Sequence, residues 1–242
     1  MIKLFTTLGA VLVGLLAQAQ TTIATFDHIE VMGNVKLIFT QTARSSVSTE
    51  SPNVSTQIKG NTLYIQTSGA SGVTPSVYVS GSTLRGLKAA DADVTLANVL
   101  VTPRVSVKLT GDATLCGNIR ATEQFALQMD RTSVFNSRVD TPELNASLND
   151  AAKMCVTGAA DRAEFRSAQK TLISARNFSS PQLQVIANDE SKVQLHAVGS
   201  VGITVSEQAR VSYVGMPVSV KMNENAIAIG DLKSPSDAVA GN

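Results

Sequence analysis

The stretch Val105-Ser106-Val107-Lys108-Leu109-Thr110-Gly111-Asp112-Ala113-Thr114-Leu115 alternates apolar and polar residues on both sides of Thr110-Gly111-Asp112. Alternation with period two is the mark of a strand with one buried face, and Gly-Asp is turn chemistry. The same pattern returns down the chain. The triplet Val105-Val107-Leu109 is followed by Phe125-Leu127-Met129, Leu144-Ala146-Leu148, Phe165-Ser167-Gln169, Leu183-Val185-Ala187 and Val201-Ile203-Val205. The steps are 20, 19, 21, 18 and 18 residues. Six residues after each triplet stands a further inward candidate: Leu115, Phe135, Met154, Ala175, Val193 and Val211. A looser earlier unit runs from Leu84 to Val99, with Leu87, Val94 and Leu96 as its apolar positions.

The positions between these are the control. Lys108, Gln128, Ser147, Ala168, Ile186 and Thr204 form one column, and Thr110, Asp130, Asn149, Lys170, Asn188 and Ser206 another. A third reads Thr114, Val134, Lys153, Ser174, Lys192 and Arg210. They are mainly polar, as the outward face of strands should be. A repeat near twenty residues is too short for a helix pair and fits one coil of a solenoid, whose apolar face is buried by its neighbours. The expected fold is therefore all-β: a right-handed parallel β-solenoid with coils of 18–21 residues and an N-terminal β cap. An antiparallel β-sandwich is the alternative.

Upstream, Phe26–Val31, Val35–Phe39, Leu63–Ile65 and Val77–Val79 read as strands. Residues 20–83 are expected to form the cap and first coils, and 84–230 the regular repeats, of one domain. The exposed backbone edge of a first coil calls for such a cover. Residues 231–242, with Pro235 and Gly241, read as a loose tail. At the other end, Lys3 precedes an apolar run from Leu4 to Leu16 that exits through Ala17-Gln18-Ala19. This is the pattern of a secretory signal peptide, residues 1–19, with the mature chain starting at Gln20. The run is shorter than the roughly 20 residues that span a bilayer. The first cysteine is Cys116, so a lipid anchor at the new N-terminus is not expected. The protein is expected to be exported, to the periplasm, the outer surface or the medium. A net charge of +1, with 16% charged residues, gives no reason to expect nucleic acid as a partner.

The segments Phe26-Asp27-His28-Ile29-Glu30-Val31, Asn61-Thr62-Leu63-Tyr64-Ile65, and Val77-Tyr78-Val79 followed by Leu84-Arg85-Gly86-Leu87 resemble the head GIN domain family of auto-transporter adhesins. Thr110-Gly111-Asp112-Ala113-Thr114-Leu115 is similar to its repeated Ser-Gly-Ser-Gly-Asp-Val motif. The resemblance covers about residues 24–230. It implies an exported or envelope protein of Gram-negative bacteria folded as a β-solenoid, and it carries over no catalytic residues. Asp130-Arg131-Thr132-Ser133 and Asn188-Asp189-Glu190-Ser191 lack the glycines of the motif, so their turns are expected to be built differently.

Little in the chain reads as chemistry. His28 and His196 are the only histidines, far apart and in strand-like contexts, and no nucleophile–base set can be built on them. No phosphate loop, dinucleotide fingerprint or zinc spacing is present. The turn column Gly111, Arg131, Asp150, Thr171, Asp189, Glu207 would stack Arg131 on Asp150 and Asp189 near Glu207, with Glu190 beside them. Two carboxylates about 5 Å apart could act as a glycosidase pair or hold a cation. A solvated acidic edge is the plainer reading, with Arg131–Asp150 a surface pair worth about 0–1 kcal/mol. No catalytic, cofactor or metal residue is therefore assigned. The leading expectation is a non-enzymatic, exported cell-envelope binding or structural protein, adhesive in kind, with an envelope, protein or glycan ligand. The competing class is a polysaccharide-active solenoid lyase or hydrolase, which should show a groove with three or more converging acids and basic residues along it. Cys116 and Cys155 fall in one column with Asn136 between them, about 9.6 Å apart, too far for a disulfide. Both thiols are expected to be free and to face outward.

Overall fold

The computed structural model describes residues 25–67, 73–206, 208–223 and 229–230. The expected signal peptide and C-terminal tail lie outside these residues. Among the described residues there are strands and turns and no helix, and the strands join in one sheet wound into a parallel solenoid of about seven turns. In chain order they are β1 (His28–Met32), β2 (Lys36–Gln41), β3 (Ser46–Thr49), β4 (Val54–Lys59), β5 (Thr62–Thr67), β6 (Ser76–Gly81), β7 (Gly86–Ala90), β8 (Asp93–Leu96), β9 (Leu100–Thr110) and β10 (Thr114–Met129). Then come β11 (Val134–Leu148), β12 (Lys153–Ser167), β13 (Leu172–Ser179), β14 (Gln182–Ala187), β15 (Lys192–His196), β16 (Ser200–Val205), β17 (Arg210–Val214), β18 (Ser219–Met222) and β19 (Ile229–Gly230).

Each coil carries two strand segments. One sheet face, here face A, is built from β1, β5, β7, β14, β16, β18 and the C-terminal parts of β9 to β12. Face B is built from β2, β6, β8, β13, β15, β17 and the N-terminal parts of β10 to β12. Identical positions stack in parallel register, so inward residues form ladders. On face B the ladder reads Val77, Leu37, Val94, Leu115, Phe135, Met154, Ile173, Val193, Val211. Every one is at most 4% exposed, so the core runs unbroken from the cap to the last coils. A solenoid is stabilised in this way, each coil covering the apolar face of the next.

The fourth repeat departs from the spacing read in the sequence. Leu144, Ala146 and Leu148 stack on Ala163, Phe165 and Ser167, which in turn stack on Leu183, Val185 and Ala187. The expected triplet Phe165-Ser167-Gln169 is thus two residues too late. The same shift puts Ile173 rather than Ala175 after Met154, Gln169 rather than Thr171 in the turn column, and Arg166 and Leu172 in outward columns in place of Ala168 and Ser174. The physical reason is volume exchange between rungs. Leu144 above Ala163 and Ala146 above Phe165 swap large and small within one layer, which keeps packing density constant. Phe165 also reaches Phe178 across the core, with ring centroids 6.0 Å apart.

The corners are built from short motifs. At one corner a turn joins face A to face B, with the fourth N–H bonded to the first carbonyl: Ala113 to Thr110 (3.3 Å), Ser133 to Asp130 (3.4 Å), Ala152 to Asn149 (3.3 Å) and Ser191 to Asn188 (3.2 Å). The second residue has a left-handed backbone in successive coils: Asp91 (φ 54°), Gly111 (68°), Arg131 (57°), Asp150 (60°), Gln169 (62°) and Asp189 (55°). The turns that lack glycine are therefore not built differently, contrary to the sequence reading. At Gly111 a Cβ would lie 1.9 Å from the Asp91 carboxylate oxygen, so a side chain there would displace the carboxylate that accepts from the Asp112 N–H. The opposite corner repeats Thr102-Pro103, Thr141-Pro142 and Ser180-Pro181, whose hydroxyls donate to the carbonyls of Arg104, Glu143 and Gln182. Proline suits a site where the chain turns off the sheet and needs no ladder N–H.

Coils do not follow chain order at the N-terminal end. β1 lies between β5 and β7, and β2 between β6 and β8. The chain leaves the stack after β2, forms β3 and β4, and pairs them antiparallel with β6 and β5. Three side-chain amides replace missing strand backbone. Asn98 pairs with the main chain of Gln41 (2.9 and 2.9 Å), Gln41 with that of Val101 (2.7 and 2.8 Å), and Asn223 with that of Val205 (3.0 and 2.8 Å). Each carboxamide offers one donor and one acceptor, the same pair a peptide unit offers.

Candidate functional site

The outward side of face A carries three adjoining hollows, of about 310, 320 and 620 Å³. The first two share Gln128, and the last two share Glu143, Asn145 and Glu164. The parallel register decides what lines them, because outward side chains stack as strictly as inward ones. One outward column reads Gln124, Glu143, Arg162, Gln182, Ser200, Ser219. Its neighbour reads Ala126, Asn145, Glu164, Gln184, Gly202, Lys221. The largest hollow spans the C-terminal rungs of these two columns and is lined by amides, hydroxyls, two carboxylates and two cations.

The carboxylates are already engaged. Glu143 Oε1 accepts from Gln124 Nε2 (3.2 Å) and Asn145 Nδ2 (2.8 Å). Glu164 pairs with Arg166. Arg162 and Lys221 form no ion pair among the described residues. Gly202 opens the floor between them, since a Cβ there would lie 2.1 Å from the Gln184 carboxamide oxygen. Among the residues that line this hollow the acids are Glu143 and Glu164, one fewer than the three expected of a polysaccharide-active solenoid, whereas three acids, Asp150, Asp189 and Glu190, line a separate hollow of about 510 Å³ at the turn corner together with Lys170. No group of His, Cys, Asp and Glu among the described residues is arranged to hold a metal ion.

The family model with the description "Putative auto-transporter adhesin, head GIN domain" matches residues 25–217. The chain belongs to the head GIN domain family. No curated protein matches it. Solved structures of similar fold include a "putative adhesin" from Parabacteroides merdae (16% identity, 87% of this chain and 92% of that one, TM-score 0.77). A "putative adhesin" from Parabacteroides distasonis has the same identity and coverage with a TM-score of 0.78. A "putative lipid binding protein" from P. distasonis matches at 16% identity over 87% of this chain and 94% of that one, with a TM-score of 0.74. At that identity these relatives share the fold. Among the described residues of this head GIN domain protein, no helix is long and apolar enough to cross a membrane.

Of the residues singled out in the sequence, His28 lines the first of the face A hollows, and the acids of the turn column lie elsewhere. Asp150 and Asp189 sit in the left-handed turn column, and Glu207 is outside the described residues. Their stacking partners are backbone groups rather than charges. Asp150 Oδ2 accepts from the Arg131 N–H (3.1 Å), and Asp189 Oδ2 from the Gln169 N–H (3.1 Å). The Arg131–Asp150 contact is thus a turn-to-turn hydrogen bond in place of the expected ion pair. His28 lies on β1, bonded to Asp27 (2.6 Å), and His196 ends β15, so the histidines are not brought together. Cys116 and Cys155 are free and exposed, on either side of Asn136 in one ladder, as the spacing predicts. The groove of this head GIN domain was missed because the slipped fourth repeat separated Arg162 and Glu164 from Glu143 and Asn145. The Thr-Pro and Ser-Pro corners hold the signal that would have aligned them. Measured from Thr141 and Ser180, Leu144 and Leu183 are equivalent, which leaves Ala163 as the rung between.

Proposed function

We propose that this protein is exported to the cell envelope and serves there as a non-catalytic binding protein, with the outer groove of face A as its ligand site. The observation that supports this most is the lining of the largest hollow. Gln182, Gln184, Asn145, Ser200 and Ser219 offer both donors and acceptors along several rungs, while Glu143 and Glu164 are held by neighbours. Such a surface suits a polar chain such as a glycan, whose hydroxyls exchange water for amides and hydroxyls at little net cost. An acyl chain would find few apolar side chains there. The family described as adhesins agrees with a binding role, and the Ala17-Gln18-Ala19 exit supports export.

The test is a binding screen of mature protein against envelope polysaccharides, acyl lipids and envelope proteins, with Gln182→Ala/Gln184→Ala as the control. Binding to a polysaccharide that drops at least tenfold in the double variant is the expected result. Release of shortened polysaccharide, or a ligand whose affinity the double variant leaves unchanged, would overturn the reading. In the same preparation, N-terminal sequencing of exported material should begin at Gln20.

A further inference from the structure

The charges in the groove are arranged unevenly, and this bears on the class of glycan. Resting on the binding role of face A, the geometry points to an acidic oligosaccharide, one that carries carboxylates, as the occupant of the largest hollow. Both acids of the lining have partners already: two amide donors on Glu143 and the guanidinium of Arg166 on Glu164. The cations Arg162 and Lys221 have none among the described residues, although Arg162 stands in register beside Glu143. Amide donors leave the charge of Glu143 in place, but with Glu164 matched by Arg166 the two cations Arg162 and Lys221 still outnumber it, so the groove presents a ligand with a net positive lining.

Their placement is also specific. Arg162 belongs to the rung of β12 and Lys221 to that of β18, three rungs further on through β14 and β16. At about 4.8 Å per rung this separates their backbones by about 14 Å along the groove. Between them lie Gln182, Gln184 and Ser200, with Gly202 lowering the floor and Ser219 on the rung of Lys221. A short chain of sugar rings laid along the stack would place ring hydroxyls against the amides and hydroxyls, and an acidic group near each end cation. Arginine at one end favours a planar, two-oxygen anion, which is the shape of a carboxylate. A volume of about 620 Å³ falls within the range of pockets that take ligands of this size.

The experiment is titration calorimetry of the mature protein with tri-galacturonate, its fully methyl-esterified form and a neutral glucose trisaccharide. The expected result is that the acid binds at least tenfold more tightly than its ester, and that Arg162→Ala and Lys221→Ala each weaken the acid at least tenfold. Gly202→Leu, which fills the floor, should abolish binding, while Lys153→Ala on face B should leave it unchanged. Thermal melts of all variants verify that they fold. Equal binding of acid and ester would overturn the proposal. So would an equal loss with Lys153→Ala, which would mean diffuse attraction. Binding of the neutral trisaccharide alone would overturn the acidic class and leave the polar groove standing. Binding of none of the three to the folded protein would overturn the acidic class as well, and the polysaccharide screen would then decide separately whether the groove binds glycans at all.

Discussion

Arg131, Asp150, Gln169 and Asp189 hold a left-handed backbone that costs an ordinary residue about 1–2 kcal/mol. What offsets the cost is visible around them. The fourth residue of each such turn is small and buried: Ser133, Ala152, Thr171 and Ser191 are at most 1% exposed. The carboxylates of Asp150 and Asp189 also tie their turns to the preceding ones through the N–H groups of Arg131 and Gln169. Asp150→Ala should therefore lower stability by about 1 kcal/mol, the worth of a typical hydrogen bond, while Asp150→Asn keeps an acceptor and stays near wild type. Urea unfolding of the two variants checks this. Equal losses would mean that the carboxylate's bond to Arg131 contributes nothing.

Strands here are defined by what stacks above and below them more than by their own composition. Phe125, fully buried beside Phe135 with centroids 5.7 Å apart, sits between Val105 and Leu144. Truncating it to Ala should cost about 3–5 kcal/mol by equilibrium denaturation. A loss below about 1 kcal/mol would mean that neighbouring coils close over the gap. The alternation in β9, β10, β11, β14 and β16 was legible because each keeps its large residues at the same positions. β12 was not, because Ala163 and Phe165 trade sizes with Leu144 and Ala146, and an aromatic residue draws the eye out of register. The site was hidden for the same reason: outward residues carry no pattern of their own and become a surface only when the inward register is right. The cysteine ladder survives the slip, since Cys116, Asn136 and Cys155 all precede it. Mass spectrometry of non-reduced protein should accordingly find no Cys116–Cys155 bond, and Cys155→Ser should change stability by less than about 0.5 kcal/mol. An intramolecular bridge would contradict the stacking of these coils.

In a stack where each coil touches only its neighbours, stability grades along the axis. β10, β11 and β12 are long, continuous through the corner and covered on both sides, whereas β17 and β18 are short and half-exposed. Amide exchange should be slowest in β10 to β12 and fastest in β17 and β18, read by mass spectrometry of peptides from each coil. Uniform protection throughout would mean that the molecule opens as one unit.

The interior position of β1 and β2 sets a schedule for assembly. Synthesis delivers this coil first, yet both of its edges need strands that are made later, β5 and β6 on one side and β7 and β8 on the other. Simple addition of one coil after another from the first strand cannot build this end, because the coils made next stack on both sides of the first. The rungs from β9 to β16 close loops of about twenty residues and can form without it, so they are suited to nucleate. The earliest strands stay short of partners until β5 to β8 have been made. All four partner strands end by Leu96, so the first coil can be covered on both edges once about the first two-fifths of the chain has been made, with the later rungs stacking on β7 and β8 rather than on the strands that begin the chain.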